Sequence, residues 1–235
     1  MPSFERAVEI GVDVVETDIH WTRDGHIVVS HDPDGQRSAG VGRAIAHCSL
    51  DELRTWDVGW GYVSPDGRRP FAGRALAVPT LEQVLDAFPE IPFNVDVKPD
   101  RPDLVGDLIE LLARRGDDRR VTLASFHTRV MAAIRRRGFA GKTALTQPEV
   151  LALLSLPVAL CRRVVKGDVA QIPLSVGPLE LARRSFIDKC HRLGVLVDYW
   201  TVNDPVVADV LLDRGADGLI TDDPALIRPV VERYR

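Results

Sequence analysis

Residues 93–116 read Phe-Asn-Val-Asp-Val-Lys-Pro-Asp-Arg-Pro-Asp-Leu-Val-Gly-Asp-Leu-Ile-Glu-Leu-Leu-Ala-Arg-Arg-Gly, and they hold one complete unit of the pattern that decides the fold. Phe93 to Lys98 is a short run with a strand's alternation. In Pro102 to Arg115, the residues Leu104, Val105, Leu108, Ile109, Leu111 and Leu112 form one apolar face, with Pro102 placed to open a helix. Gly116 follows, as expected where a helix must end in a left-handed residue.

The same rhythm continues outward. Val121 to Phe126, Lys142 to Leu145, Val169 to Ile172, Val195 to Val202 and Gly218 to Thr221 read as further strands, and Gly11, Gly138, Gly194 and Gly215 punctuate the helical patterns between strands. Repeated strand–helix units imply a parallel sheet covered by helices, as an α/β barrel or an open doubly wound sheet. In the first third, Val12 to Ile19 reads as a strand, and Ile27 to Ser30 follows an Arg-Asp-Gly turn as its hairpin partner. That leaves seven strands for a parallel wall. A TIM-type (β/α)8 barrel needs one more, and its natural place is before Met1, because Phe4 to Ile10 reads as the end of a helix with no strand in front of it. The expectation is one domain over 1–235, with an insertion at 32–78 rich in Gly, Pro, Asp and aromatic residues, among them Trp56, Trp60, Tyr62 and Phe71. Such a stretch is either a cover over a substrate site or a small subdomain.

Composition narrows the function classes. With 45% hydrophobic residues in 235, the chain can bury one large core, and no apolar run reaches the roughly 20 residues that cross a bilayer. A net charge of −4 argues against general nucleic-acid binding, and Arg135 to Arg137 and Arg183 to Arg184 sit on amphipathic patterns as solvated helix faces. Cys48, Cys161 and Cys190 are odd in number and lack zinc-type spacing, so a cytoplasmic protein without disulfides is expected.

Alternation along the strand near residue 16 puts Val12, Val14, Glu16, Asp18 and His20 on one face. Two carboxylates side by side at a strand end are costly unless a cation neutralises them, and oxygen ligands of this kind suit Mg2+ or Ca2+. The other account is a pair of solvent-exposed acids. On the strand at 93–98, Asn94, Asp96 and Lys98 share a face, so Asp96 completes a three-carboxylate metal site and Lys98 neutralises a phosphate oxygen, or the two form a structural ion pair. His31, in Val-Val-Ser-His-Asp, is a candidate general acid or base. His20 is aligned with the acids as a supporting partner, whereas His26, His47, His127 and His191 read as ordinary loop or helix residues. Trp200, at the end of a strand, either walls a ligand pocket or packs in the core or at the rim.

Taken together, Phe4 to His31, Val78 to Leu85, Phe93 to Lys98, Ser125 to Phe126, Tyr199 to Asn203 and Gly218 to Pro224 resemble, in that order, the glycerophosphodiester phosphodiesterase family. The Glu-x-Asp strand followed by Thr-x-Asp-Gly and His-Asp is the specific part. The resemblance implies an eight-stranded α/β barrel with Glu16, Asp18 and Asp96 on a divalent metal, Lys98 and Trp200 lining the pocket, and His31 as one of two catalytic histidines. It implies hydrolysis of a glycerophosphodiester to glycerol 3-phosphate and an alcohol. A lysophospholipase D acting on acylated substrates and a non-catalytic, ligand-binding barrel are the alternatives. Two departures stand out. Asp96 takes a place where the family commonly has Glu, and the His-Arg-Gly strand that carries the other catalytic histidine is not in this sequence. Met1 aligns within what is normally the first helix. The expectation is therefore a true start upstream of Met1, with the 235-residue chain poorly soluble or nearly inactive.

Overall fold

The computed structural model describes residues 1–235. Seven strands run parallel: β1 (Val15–Trp21), β3 (Phe93–Val97), β4 (Val121–Ala124), β5 (Lys142–Thr143), β6 (Val169–Ile172), β7 (Leu196–Tyr199) and β8 (Gly218–Leu219). The eighth, β2 (Ile27–Val29), pairs antiparallel with β1 as the hairpin partner the Arg-Asp-Gly turn predicts. In space the order is β2-β1-β3-β4-β5 and then β6-β7-β8, the two ladders joined by a parallel bridge between Ala144 and Val169. No ladder joins β8 to β1, so the parallel strands form an arc, not the closed ring of an eight-stranded barrel. Across the opening, α1 (Pro2–Ile10) packs on the C-terminal end of the chain: Arg228 donates to the carbonyl of Gly11, and Arg235 pairs with Asp13. Gly11 ends α1 at φ +88°, a left-handed conformation that favours glycine.

Alternation sorts the strands' side chains between two environments. Val15, Ile19, Phe93, Val95, Val97, Val121 and Leu123 point to the convex side, where they form one core with α2 (Leu81–Ala87), α3 (Val105–Arg115) and α4 (Thr128–Arg136). Ala170, Ile172, Val197 and Tyr199 do the same against α7 (Arg184–His191), α8 (Pro205–Asp213) and α9 (Pro224–Val231). Burial of each large side chain here contributes about 1.5–3 kcal/mol. The intervening residues face the concave side, and these are the polar ones: Glu16, Asp18, Asn94, Asp96, Gln171 and Asp198.

The elements start and stop where local bonds decide. Pro102 does not open α3. Arg101 instead clamps Asp103, and the Leu104 amide bonds to the Arg101 carbonyl, so the helix begins only at Val105. β4 is shorter than its apolar run because the Ser125 hydroxyl donates to the Val97 carbonyl at 2.7 Å and turns the chain. β1 begins three residues later than its pattern suggests and runs on to Trp21, paired with Ile27. The helices following β2 and β5 open on capping boxes, Thr80 with Gln83 and Thr146 with Glu149.

Residues 32–78 fold as a small unit against β2. Asp34–Gly35 pairs with Val41–Ala44, and Val28, Ile45, Cys48, Leu50, Leu53, Trp56 and Val78 make a separate core. The Asp57 carboxylate accepts from the amides of Gly59, Gly73 and Leu76 and gathers the aromatic loop that follows.

Candidate active site

Four of the concave polar residues stand side by side on β1 and β3. Their register pairs Glu16 with Asn94 and Asp18 with Asp96, so the two strands present four polar side chains as a square. Lys98 rises from the next inward position, and its ammonium lies 2.7 Å from Asp18 Oδ1 and 2.8 Å from Asp96 Oδ2. Asp18 and Asp96 are both buried, and Asp96 Oδ1 and Asn94 Oδ1 have no hydrogen-bond partner. Burial pushes the Asp96 carboxyl up despite its bond to Lys98. Burial also pulls the Lys98 ammonium down, but the two carboxylates outweigh it and the net shift is upward.

Glu16 is open to solvent on one side, yet protein surrounds it on the others. Burial, and then the charges of Asp18 and Asp96, push it up to about 7. Asp222 adds to the same push, and its own carboxylate is held by Asn203 Nδ2 at 2.8 Å. The acids thus outnumber the one ammonium among them. Surplus carboxylates with uncommitted oxygens form a donor set that suits a hard cation. As the side chains stand, no three His, Cys, Asp or Glu residues converge closely enough to grip an ion, because Lys98 holds an oxygen of both Asp18 and Asp96.

His31 follows β2 and is largely exposed. Its Nδ1 lies 2.8 Å from Asp32 Oδ1, while Nε2 makes no hydrogen bond. Arg37 donates to the other Asp32 oxygen at 2.6 Å, and these two partners hold the Asp32 carboxyl down at about 2. His20 reaches toward His31 through its backbone, Nε2 lying 3.4 Å from the His31 carbonyl. Burial pulls the His20 imidazole below its ordinary value.

Trp200 lies half-buried at the end of β7 and meets Phe126 edge to face, with ring centroids 5.9 Å apart. The Lys98 ammonium sits 5.7 Å from the Phe126 ring. Phe126 is exposed and Trp200 half-buried, so the two rings pack against each other beside Lys98. Three neighbours of the site carry no role in the sequence reading. Phe126 is read there as the end of a strand and as part of the Ser125 to Phe126 segment, with no role of its own. Asp222 stands in a Thr-Asp-Asp run that gives no sign of which acid turns inward. His127, read as an ordinary residue, places Nε2 3.0 Å from the Lys98 carbonyl.

The inward face of β1 and β3 thus carries several acids and one ammonium, with an aromatic pair beside them and an exposed imidazole just after β2, on an α/β scaffold. The sequence profile of the Glycerophosphoryl diester phosphodiesterase family matches residues 1–226. The chain is similar to the probable glycerophosphodiester phosphodiesterase 2 of Mycobacterium tuberculosis, 30% identical over 98% of this chain and 84% of that one. It is also similar to human lysophospholipase D GDPD1, 25% identical over 100% of this chain and 82% of that one. Among solved structures, the glycerophosphoryl diester phosphodiesterase domain of a Mycobacterium tuberculosis protein superposes with a TM-score of 0.82 at 21% identity, covering 98% of this chain and 91% of that one. The chain belongs to the glycerophosphoryl diester phosphodiesterase family, whose members are phosphoric diester hydrolases.

Proposed function

We propose that this chain hydrolyses glycerophosphodiesters to glycerol 3-phosphate and an alcohol, using Mg2+ or Ca2+ held by Glu16, Asp18 and Asp96. The observation that carries the reading is the buried, unpartnered Asp96 Oδ1 beside Asp18, with Glu16 pushed up to about 7 by burial and by the charges of those two acids. The arc of seven strands is then most of the wall of a (β/α)8 barrel, in one domain that includes the 32–78 unit.

When bound, the cation supplies Lewis-acid polarisation of a phosphate oxygen. The chain's own residues do the rest. Lys98, exchanging a carboxylate for substrate, neutralises a phosphate oxygen, and the Phe126–Trp200 wall confines the ester and excludes water on that side. His31 holds or releases a proton at Nε2, the nitrogen that Asp32 leaves free. Glu16→Ala and Asp18→Ala are expected to lose both cation binding and turnover. His31→Ala is expected to keep cation binding and lose turnover by about 10²-fold or more. Full turnover in Glu16→Ala would remove the metal assignment.

A lysophospholipid substrate is the second reading. A groove of about 340 Å³ lined by Leu174, Val206, Val207, Val210 and Leu211, with Glu180 and Arg214, is one space an acyl chain could occupy. Faster hydrolysis of acylated than of deacylated substrate would select it. No helix is long and apolar enough to cross a membrane. The three cysteines are free and buried, which fits a cytoplasmic protein.

A further inference from the structure

From within the unit at 32–78, Arg37 reaches back to Asp32, the residue that meets His31 at the edge of the candidate active site. It comes from the helix Gln36–Ala39, whose backbone is pressed so tightly that a Cβ on Gly61 would lie 2.5 Å from the Arg37 carbonyl. From there the guanidinium reaches back and donates through Nε to Asp32 Oδ2 at 2.6 Å, while Asp32 Oδ1 lies 2.8 Å from His31 Nδ1. Ser30 also donates to the Asp32 carbonyl at 2.9 Å, so backbone and carboxylate of Asp32 are both fixed. Beneath the trio lies a cavity of about 140 Å³ lined by Trp56, Val58 and Val78, with no further charged group. The titratable and charged neighbours of His31 are therefore Asp32 beside it, Arg37 from the 32–78 unit and His20 from β1.

We propose that Arg37 is a positioning residue through which the 32–78 unit controls His31: by holding one oxygen of Asp32, it fixes the other against Nδ1 and keeps Nε2 as the nitrogen that faces substrate. The role of His31 in proton transfer rests on the function proposed above, but the Arg37–Asp32–His31 linkage is a property of the protein at rest and is measurable without turnover. A carboxylate on Nδ1 selects the tautomer protonated there and leaves the lone pair on Nε2. A carboxylate free to rotate would lose that selection. Held at about 2, Asp32 keeps its charge at any pH where an imidazole titrates.

The test is the ¹⁵N chemical shifts of His31 in the full chain, for the wild type, Arg37→Gln, Arg37→Lys, Asp32→Asn and the Arg37→Gln/Asp32→Asn pair. The wild type is expected to show the Nδ1–H tautomer. Arg37→Gln is expected to mix the tautomers and, where turnover is measured, to lower kcat by about tenfold with KM changed less than about twofold. Arg37→Lys is expected to recover part of both. In the Asp32→Asn background, Arg37→Gln is expected to change neither quantity further, since Arg37 acts only through Asp32. An unaltered tautomer signature in Arg37→Gln overturns the proposal, and so does a full additional effect of Arg37→Gln on top of Asp32→Asn. If Arg37→Gln does not fold, Arg37→Lys against wild type decides by the same signature. Absence of phosphodiesterase activity with the tautomer shift present would count against the proposed reaction and leave this linkage standing.

Discussion

Lys98 stands where a cation would otherwise be wanted, 2.7 and 2.8 Å from the carboxylates of Asp18 and Asp96, and that position makes two opposite demands on it. It neutralises the acids when no other cation is near, and it must yield at least one of them when a metal binds. Lys98→Met is accordingly expected to bind Mg2+ or Ca2+ several-fold more tightly by calorimetry, while kcat/KM falls by about 10²-fold for want of a partner for the phosphate. Weaker cation binding in that variant would mean that Lys98 supports the metal instead of competing with it. Asp198 offers a separate test of the concave face. It faces Gly218 so closely that a Cβ there would lie 2.4 Å from its Oδ1, and burial pushes its carboxyl from 3.8 up to about 6, against the pull of a hydrogen bond from Gln171. Between about pH 4 and 6 the folded chain keeps a proton here that the unfolded chain has lost. The contribution of Asp198 to stability therefore declines as pH rises through that window. Thermal midpoints measured from pH 4 to 7 should show Asp198→Asn gaining on the wild type as pH rises; parallel curves would contradict the burial assigned to Asp198. At this scale the sequence reading went furthest. Alternation alone set Glu16 with Asp18 and Asp96 with Lys98, since a strand's faces are fixed by a period of two. Arg37 on Asp32 and Asp222 near Glu16 were not legible, because each depends on where a loop folds back.

Between elements, the least exposed ion pair outside the site joins Glu149 and Arg135. Both Glu149 oxygens accept from Arg135 at 3.0 Å, and they also take the amides of Thr146, Lys166 and Gly167. This single carboxylate ties α4 and α5 (Gln147–Ser155) to the segment leading into β6, near the Ala144–Val169 bridge where the two ladders meet. Glu149→Ala strips the partner from a mostly buried guanidinium and from several amides, at an expected cost of about 3–5 kcal/mol. Urea unfolding should show the midpoint falling with little change in slope; a shift below about 1 kcal/mol would mean the joint is held elsewhere. Thr146 and Glu149 carry no role in the sequence reading, and their capping-box spacing says nothing about the Arg135 that arrives from the preceding helix. The same limit explains the misplaced helix start at Pro102 and the shortened β4. Both boundaries are set by side-chain bonds, Arg101 to Asp103 and Ser125 to Val97, that compete with an otherwise sound apolar pattern.

For the whole molecule, order of elements and sidedness were legible, since seven parallel strands separated by helices leave few arrangements, and the motif order named the family that the comparisons show. The arc has the seven parallel strands that the strand–helix rhythm predicts; whether its first and last strands meet depends on the sum of small twists along the sheet. The account's central claim is that the crowded strand-end acids make a metal-dependent phosphodiesterase. Its most direct test is the release of glycerol 3-phosphate from glycerophosphocholine by the purified chain, with Mg2+ or Ca2+ and then with EDTA. The account predicts release with a cation, slow because the second histidine of the family pattern is not in this sequence, with loss of release in EDTA and recovery on adding the cation back. Release undiminished by EDTA, or none with either cation from a folded chain, would contradict it.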